Sequence, residues 1–157
     1  MKTQHIDIRP DDLTNPKVLA LLDEHLQQMA SQSPPESVHA LDVAGLKQPG
    51  IKFWAAWTNT NDLAGVAAMK LLDSSSAEIK SMRTNDKLRR TGVAPLLVKH
   101  LINEARRAEL STLYLETGSM SEFAAARALY LKIGFNYCEP YGNYIEDPNS
   151  VFMTLKV

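Results

Sequence analysis

The sequence predicts a single α+β domain spanning residues 1–157, with a mixed, mostly antiparallel sheet flanked by helices. Three observations carry this. Three strand-like runs, Ile51 to Trp57, Leu63 to Leu72 and Ala77 to Thr84, follow one another with only turn residues between them, which is the pattern of an antiparallel meander. Helical periodicity lies before and after that meander rather than alternating with every strand. Finally, 157 residues of which 45% are hydrophobic and 22% charged suit one compact core, able to bury roughly 68–70% of its unfolded surface without a metal or disulfide staple.

Taken in order, Gln4 to Arg9 alternates polar and apolar residues, with Ile6 and Ile8 on one side, as a half-buried strand does. Thr14-Asn15-Pro16 supplies capping side chains and a proline at a first helical position. Val18, Leu19, Leu22, Leu26 and Met29 follow at helical spacing, so a helix is predicted from Pro16 to Ala30. Ser31 to Pro35 stops it. A shorter helix is expected from Pro35 through Val38, Leu41 and Leu46, ended by Pro49-Gly50.

After the meander, Val93, Leu97, Leu101, Ala105 and Ala108 mark an amphipathic helix ending near Glu109, and Leu113 to Thr117 reads as a strand. Ser121 is placed to cap a helix that carries Phe123, Ala126, Leu129, Tyr130 and Ile133 and stops at Gly134. Phe135 to Cys138 and Ser150 to Lys156 are the last two strands. The loop between them, Glu139 to Asn149, exceeds the usual length, and long loops in compact domains are often functional.

Composition excludes several classes of function. With 17 Lys+Arg against 18 Asp+Glu the net charge is −1, so the overall positive field typical of nucleic-acid binders is missing. One cysteine, Cys138, rules out an internal disulfide and lies in an apolar strand as a core residue would. Charges interrupt the N-terminus before an apolar signal segment can form, and no run approaches the ~20 apolar residues of a membrane helix. A cytoplasmic protein without membrane or nucleic-acid partners is expected.

Chemistry is concentrated in Arg89-Arg90-Thr91-Gly92-Val93-Ala94-Pro95, between a strand and an amphipathic helix. Small residues let backbone approach a ligand, and the free N–H groups of a helix start form an anion site. Pro95 is compatible with a first turn. Neither a triphosphate-binding loop nor a Gly-x-Gly-x-x-Gly motif is present, and a plain strand-to-helix turn is the alternative.

Arg89, Gly92 and Ala94 match the recurrent Arg/Gln-x-x-Gly-x-Gly/Ala segment of the GNAT acyltransferases, which use acetyl-coenzyme A, and in this respect the chain resembles that family. Ala126 to Phe135, A-R-A-L-Y-L-K-I-G-F, resembles its second recurrent segment, and the strand order agrees with its layout. Ser33 to Leu41, Glu78 to Thr84, Leu115 to Met120 and Glu146 to Met153 are similar to a small bacterial subgroup of largely unassigned substrate.

The resemblance implies a GNAT fold and transfer of acetyl from acetyl-coenzyme A to a primary amine of a small molecule, without a metal. Protein N-terminal or lysine acetylation, or a non-catalytic acyl-coenzyme A binding module, are the alternatives. It implies that backbone N–H groups of Arg90, Thr91, Gly92, Val93 and Ala94 hold the pyrophosphate, with Lys87, Arg89 and Arg90 near the outer phosphates. Met82, Arg83 and Thr84 would pair through backbone with the pantetheine arm, and the Thr84 N–H would steady an oxyanion. Glu78 is the expected general base, with an ion pair to Lys80 as its alternative and Glu116 as the next candidate. Tyr130 is the expected general acid. Phe123 stands where many relatives carry Asn, leaving Ser119 and Ser121 to compensate.

Acceptor recognition would fall to Pro35, Glu36 and His39 on one side and to Tyr141 and Tyr144 on the other. Glu146 and Asp147 favour a cationic acceptor, whereas Arg83 and His39 would suit an acceptor carboxylate. A homodimer is compatible with the family, and Trp54 and Trp57 belong either to such an interface or to the core.

Overall fold

The computed structural model describes residues 5–157; the expected strand start at Gln4 lies outside them. Seven strands form one sheet in the order β1-β2-β3-β4-β5-β7-β6. These are β1 Ile6–Pro10, β2 Ile51–Thr58, β3 Leu63–Leu71, β4 Ser76–Thr84, β5 Thr112–Gly118, β6 Asn136–Cys138 and β7 Ser150–Lys156. Every pairing is antiparallel except β4 with β5. The α+β architecture expected from the sequence, a mixed and mostly antiparallel sheet flanked by helices, is the one observed.

Two layers cover the sheet. On one face α3 (Val93–Arg107) and α4 (Ala124–Ile133) pack on Trp54, Ala67, Met69, Ile79, Leu113, Leu115 and Met153. On the other, α1 (Pro16–Gln32) and the short α2 (Val43–Leu46) cover Phe53, Ala55, Trp57, Val66 and Ala68. Trp54 and Trp57 are therefore core. α1 starts as its sequence dictates, with Pro16 in the first turn and the Asn15 side chain accepting the Lys17 N–H at 2.9 Å. α3 lies close on β3 because position 65 has no side chain: a Cβ there would stand 2.8 Å from the Arg83 carbonyl oxygen and 3.0 Å from Leu97 Cδ1.

Three expectations need correction. Between Pro35 and Leu46 there is no continuous helix but a 3-10 turn at Pro35–Ser37, an irregular link and α2, whose true cap is Asp42, bonded to the Gly45 N–H at 2.8 Å. Ser121 does not cap α4: Ser121–Phe123 is a 3-10 turn and the helix proper starts at Ala124. Cys138 is half-buried at the end of the edge strand β6 rather than a core residue.

Candidate active site

The sheet opens at its middle. β4 and β5 pair only from Ser76 with Thr112 to Ile79 with Leu115; beyond that point β4 runs on to Thr84 and β5 to Gly118 without pairing to each other. A bulge sits where they part. The β3 register skips between Val66 and Ala68 opposite Ser81, whose φ of 52° is left-handed. The Asn85 N–H bonds back to the Ala64 carbonyl on β3 at 2.8 Å. Successive N–H groups of an extended strand point to opposite edges, so those of Thr84 and Met82 face the opening.

A cleft of about 230 Å³ follows this opening, lined by α1 (His25, Gln28, Met29, Gln32), β4, β5 and the start of α4. Glu78, Lys80, Met82, Arg83, Thr84, Arg89, Glu116 and Tyr130 all reach it, as does His39 from the link after the Pro35–Ser37 turn. Pro35, Glu36, Tyr141 and Tyr144 do not. Glu36, Tyr141 and Tyr144 line a separate open groove of about 960 Å³ on the far side of Glu78, and Glu78 and His39 border both spaces.

Glu78 is 3% exposed and heavily engaged. Its Oε2 accepts hydrogen bonds from the Tyr141 hydroxyl at 2.8 Å and the Tyr144 hydroxyl at 2.6 Å, and lies 3.6 Å from Lys80 Nζ. Lys80 Nζ donates in turn to Tyr144 Oη and the His39 carbonyl, both at 3.0 Å. The ion pair foreseen as the alternative role of Glu78 is thus present, inside a network that fastens the Glu139–Asn149 loop to β4. A second fastening joins that loop to the Pro35–Ser37 turn, where Ser37 Oγ donates to Asp147 Oδ2 at 2.6 Å and holds the Asp147 carboxyl below its ordinary range.

Glu116 projects on the same sheet face from β5. Burial raises its carboxyl from 4.5 to about 7, opposed first by the Ser150 hydroxyl and then by the Lys80 charge, and reinforced by Glu78 and Asp147. Tyr130 comes from α4 on the other face. Its hydroxyl reaches Met82 Sδ at 3.9 Å, and burial raises the phenol above its usual range, so it stays protonated. A carboxyl poised near neutrality and a buried phenol therefore approach one opening from opposite faces of the sheet.

The loop before α3 has the geometry of an anion cradle. Arg90 and Gly92 both adopt positive φ, 65° and 90°, and the N–H groups at the helix start lack side-chain caps. Nothing lies within 4 Å of where a Cβ of residue 92 would stand. Of the basic residues here, Arg89 is paired with Asp86 at 2.9 Å and the others are exposed.

Residues 18–135 match the acetyltransferase (GNAT) family. The chain belongs to this family. The "Uncharacterized N-acetyltransferase YsnE" of Bacillus subtilis (strain 168) is 51% identical over 150 residues, 96% of this chain and 99% of that protein. The "Uncharacterized N-acetyltransferase YedL" of Escherichia coli (strain K12) is 48% identical over 148 residues, 94% of this chain and 92% of that protein. An "IAA acetyltransferase" of Azospirillum brasilense is 34% identical over 137 residues, 87% and 88% of the two chains. Among solved structures, a putative acyl-CoA N-acyltransferase from Klebsiella pneumoniae superposes with a TM-score of 0.76 at 25% identity, covering 96% of this chain and 97% of that one. A GNAT acetyltransferase from Elizabethkingia anophelis with acetyl-CoA bound gives 0.68 at 20%, covering 97% and 98%.

This GNAT chain is accordingly an acetyl-coenzyme A-dependent N-acetyltransferase, which sets aside the non-catalytic alternative. Its residues fit that cosubstrate: β4 offers unpaired N–H groups along the opening, and the loop at Gly92 is unobstructed. Among the described residues no helix is long and apolar enough to cross a membrane.

Sequence reasoning missed the α1 wall of the cleft. His25, Gln28 and Gln32 recur at helical spacing as a polar stripe beside the apolar one, which was the available signal. It also missed how Phe123 is held. A Cβ on Gly118 would stand 2.2 Å from the Phe123 ring, and Arg127 Nη1 ties the Gly118 and Met120 carbonyls at 2.7 and 2.9 Å. Phe123 thus borders the cleft as an apolar wall locked onto β5.

Proposed function

We propose that this acetyltransferase acts on the primary amine of a small molecule, with Glu116 as general base and Tyr130 as donor to the departing sulfur. The observation that carries the reading is Glu116: a carboxyl raised to about 7 at the opening is half ionised at neutral pH and matched to removing an ammonium proton. Glu78 suits that task less, because its Oε2 already takes two phenol hydroxyls and an ammonium. Its role is to anchor the Glu139–Asn149 loop to β4.

Backbone of Met82 and Thr84 and the N–H groups from Arg90 to Ala94 would hold acetyl-coenzyme A, with Arg83 between them and Arg89 at the cleft mouth. When bound, it supplies an activated acetyl thioester whose sulfur leaves as a thiolate. Glu116 takes one proton of the acceptor ammonium, directly or through water, the neutral nitrogen forms the new C–N bond as the C–S bond breaks, and the excess proton then left on that nitrogen passes to solvent to give the neutral amide. The Tyr130 hydroxyl, protonated throughout the neutral range, donates toward the leaving sulfur. A thiol is a fair leaving group with a reference pKa near 8.5, so this assistance is modest.

The relative named as an IAA acetyltransferase supports a small-molecule acceptor. The test is coenzyme A thiol release over a panel of small amines against N-terminal peptides. Transfer to a small amine is expected, falling about 100-fold in Glu116→Gln and about 10-fold in Tyr130→Phe. Turnover on peptides alone, or an unaffected Glu116→Gln, would sink the proposal.

A further inference from the structure

We infer that the acceptor also carries a carboxylate, gripped by Arg83 with His25 beside it, so that the substrate class is an amino carboxylate with its amine turned toward Glu116. This rests on the transfer to an amine proposed above and specifies its substrate.

The α1 wall of the cleft holds polar groups that the protein leaves unsatisfied. The Arg83 side chain is 10% exposed and makes its ion pairs through Nη2 alone, at 3.0 Å to Glu24 and 3.9 Å to Asp86. Its Nε is buried with no hydrogen-bond partner, as is His25 Nδ1 on the facing helix turn. Both residues line the same cleft. Buried polar groups in native proteins are nearly always paired, so two orphans at one wall of a ligand-sized space mark where a ligand's polar group belongs.

The sign of that group follows from charge. Lys80 is already neutralised by Glu78. The Arg83 guanidinium, by contrast, meets only carboxylates that are themselves about half exposed, Glu24 and Asp86, and Asp86 is shared with Arg89. A neutral carbonyl would occupy Nε without balancing the charge. A carboxylate does both, and its planar pair of oxygens matches the edge of a guanidinium. His25 supports this role because burial, and then the Arg83 charge, hold it down to about 4. It therefore stays neutral at physiological pH and adds no second cation for the ligand to balance. Glu116 stands on the sheet face that α1 covers and beside Lys80, so one cleft presents an acid–base carboxyl and a cationic clamp to opposite ends of an acceptor.

The experiment compares free α-, β- and γ-amino acids with their carboxamides as acceptors, using wild type, Arg83→Gln and Arg83→Lys. For the preferred carbon chain, the acid should exceed its carboxamide in kcat/KM by about 10- to 100-fold, the range expected of a charged hydrogen bond. Arg83→Gln should bring that ratio close to one, and Arg83→Lys should restore part of it. Because the ratio is taken within one variant, changes in handling of acetyl-coenzyme A cancel. A wild-type ratio near one, or a ratio that survives Arg83→Gln, overturns the inference. If no amine is acetylated, the transfer proposal fails by itself. The same acids and carboxamides titrated against the His25 ring resonances then still decide the carboxylate site: shifts with acids only support it, and equal shifts or none refute it.

Discussion

Two glutamates on one sheet face, Glu78 and Glu116, differ because their neighbours differ. Glu78 is surrounded by donors that a carboxylate accepts, whereas burial dominates at Glu116 and raises it from 4.5 to about 7. A raised carboxyl has a definite thermodynamic sign. Between those two values the unfolded chain has released the proton and the native one still holds it, so stability falls as pH rises through that interval. Above about pH 7 the ionised side chain is a standing penalty of about 2 kcal/mol, allowing for its partial exposure to solvent. Glu116→Gln, neutral throughout, should match wild type in urea unfolding near pH 4.5 and exceed it by about that amount at pH 8. The same substitution should remove the limb of kcat/KM that rises through pH 7. If it stabilises equally at both pH values, the carboxyl is not raised and the assignment of the base falls with it.

At the scale of elements, local patterns were readable where one element's own residues decide its fate. Strand-forming residues bounded by turn chemistry placed β2 and β3, which are buried on both faces over most of their length, alternation placed β4, and the apolar stripe placed α3. The stretch from Pro35 to Leu46 failed for a physical reason: its apolar residues suited a helical stripe, but a cap at Asp42 divides it. The site was half legible. Spacing put Glu78 and Lys80 on one face of a strand, yet the tyrosines that claim Glu78 arrive from residues 141 and 144 through a loop whose path no periodicity encodes. The β5–α4 junction was illegible in the same way, since Gly118 and Phe123 make sense only as a pair. With a Cβ at residue 118 only 2.2 Å from the ring, Gly118→Ala should destabilise by about 1–3 kcal/mol, as overpacking does. In a Phe123→Ala background most of that loss should vanish. A double-mutant cycle by thermal or urea unfolding measures the coupling, and simple additivity would mean that the ring is not held there.

The whole molecule is two antiparallel half-sheets, β1 to β4 and β5-β7-β6, joined by a single short parallel pairing. That joint leaves the opening in which the chemistry is proposed to occur. Strand alternation shows which side chains are buried but is silent about which edge of a strand has a partner, so the parting of β4 from β5 after Ile79 and Leu115 could not be read from the pattern. It leaves a testable imprint on the backbone. On β4 the Asn85 N–H is bonded to β3, and by alternation that of Arg83 points the same way, while those of Met82 and Thr84 face the opening. In the absence of coenzyme A, the amides of Met82 and Thr84 should exchange with deuterated solvent much faster than those of Arg83 and Asn85. Saturating coenzyme A should slow the Met82 and Thr84 amides by at least 10-fold and leave the alternate pair nearly as they were, since global stabilisation by a ligand would slow all four together. Uniform protection of the four amides without ligand would mean that the half-sheets close on each other and that the arm of the cosubstrate does not complete the sheet.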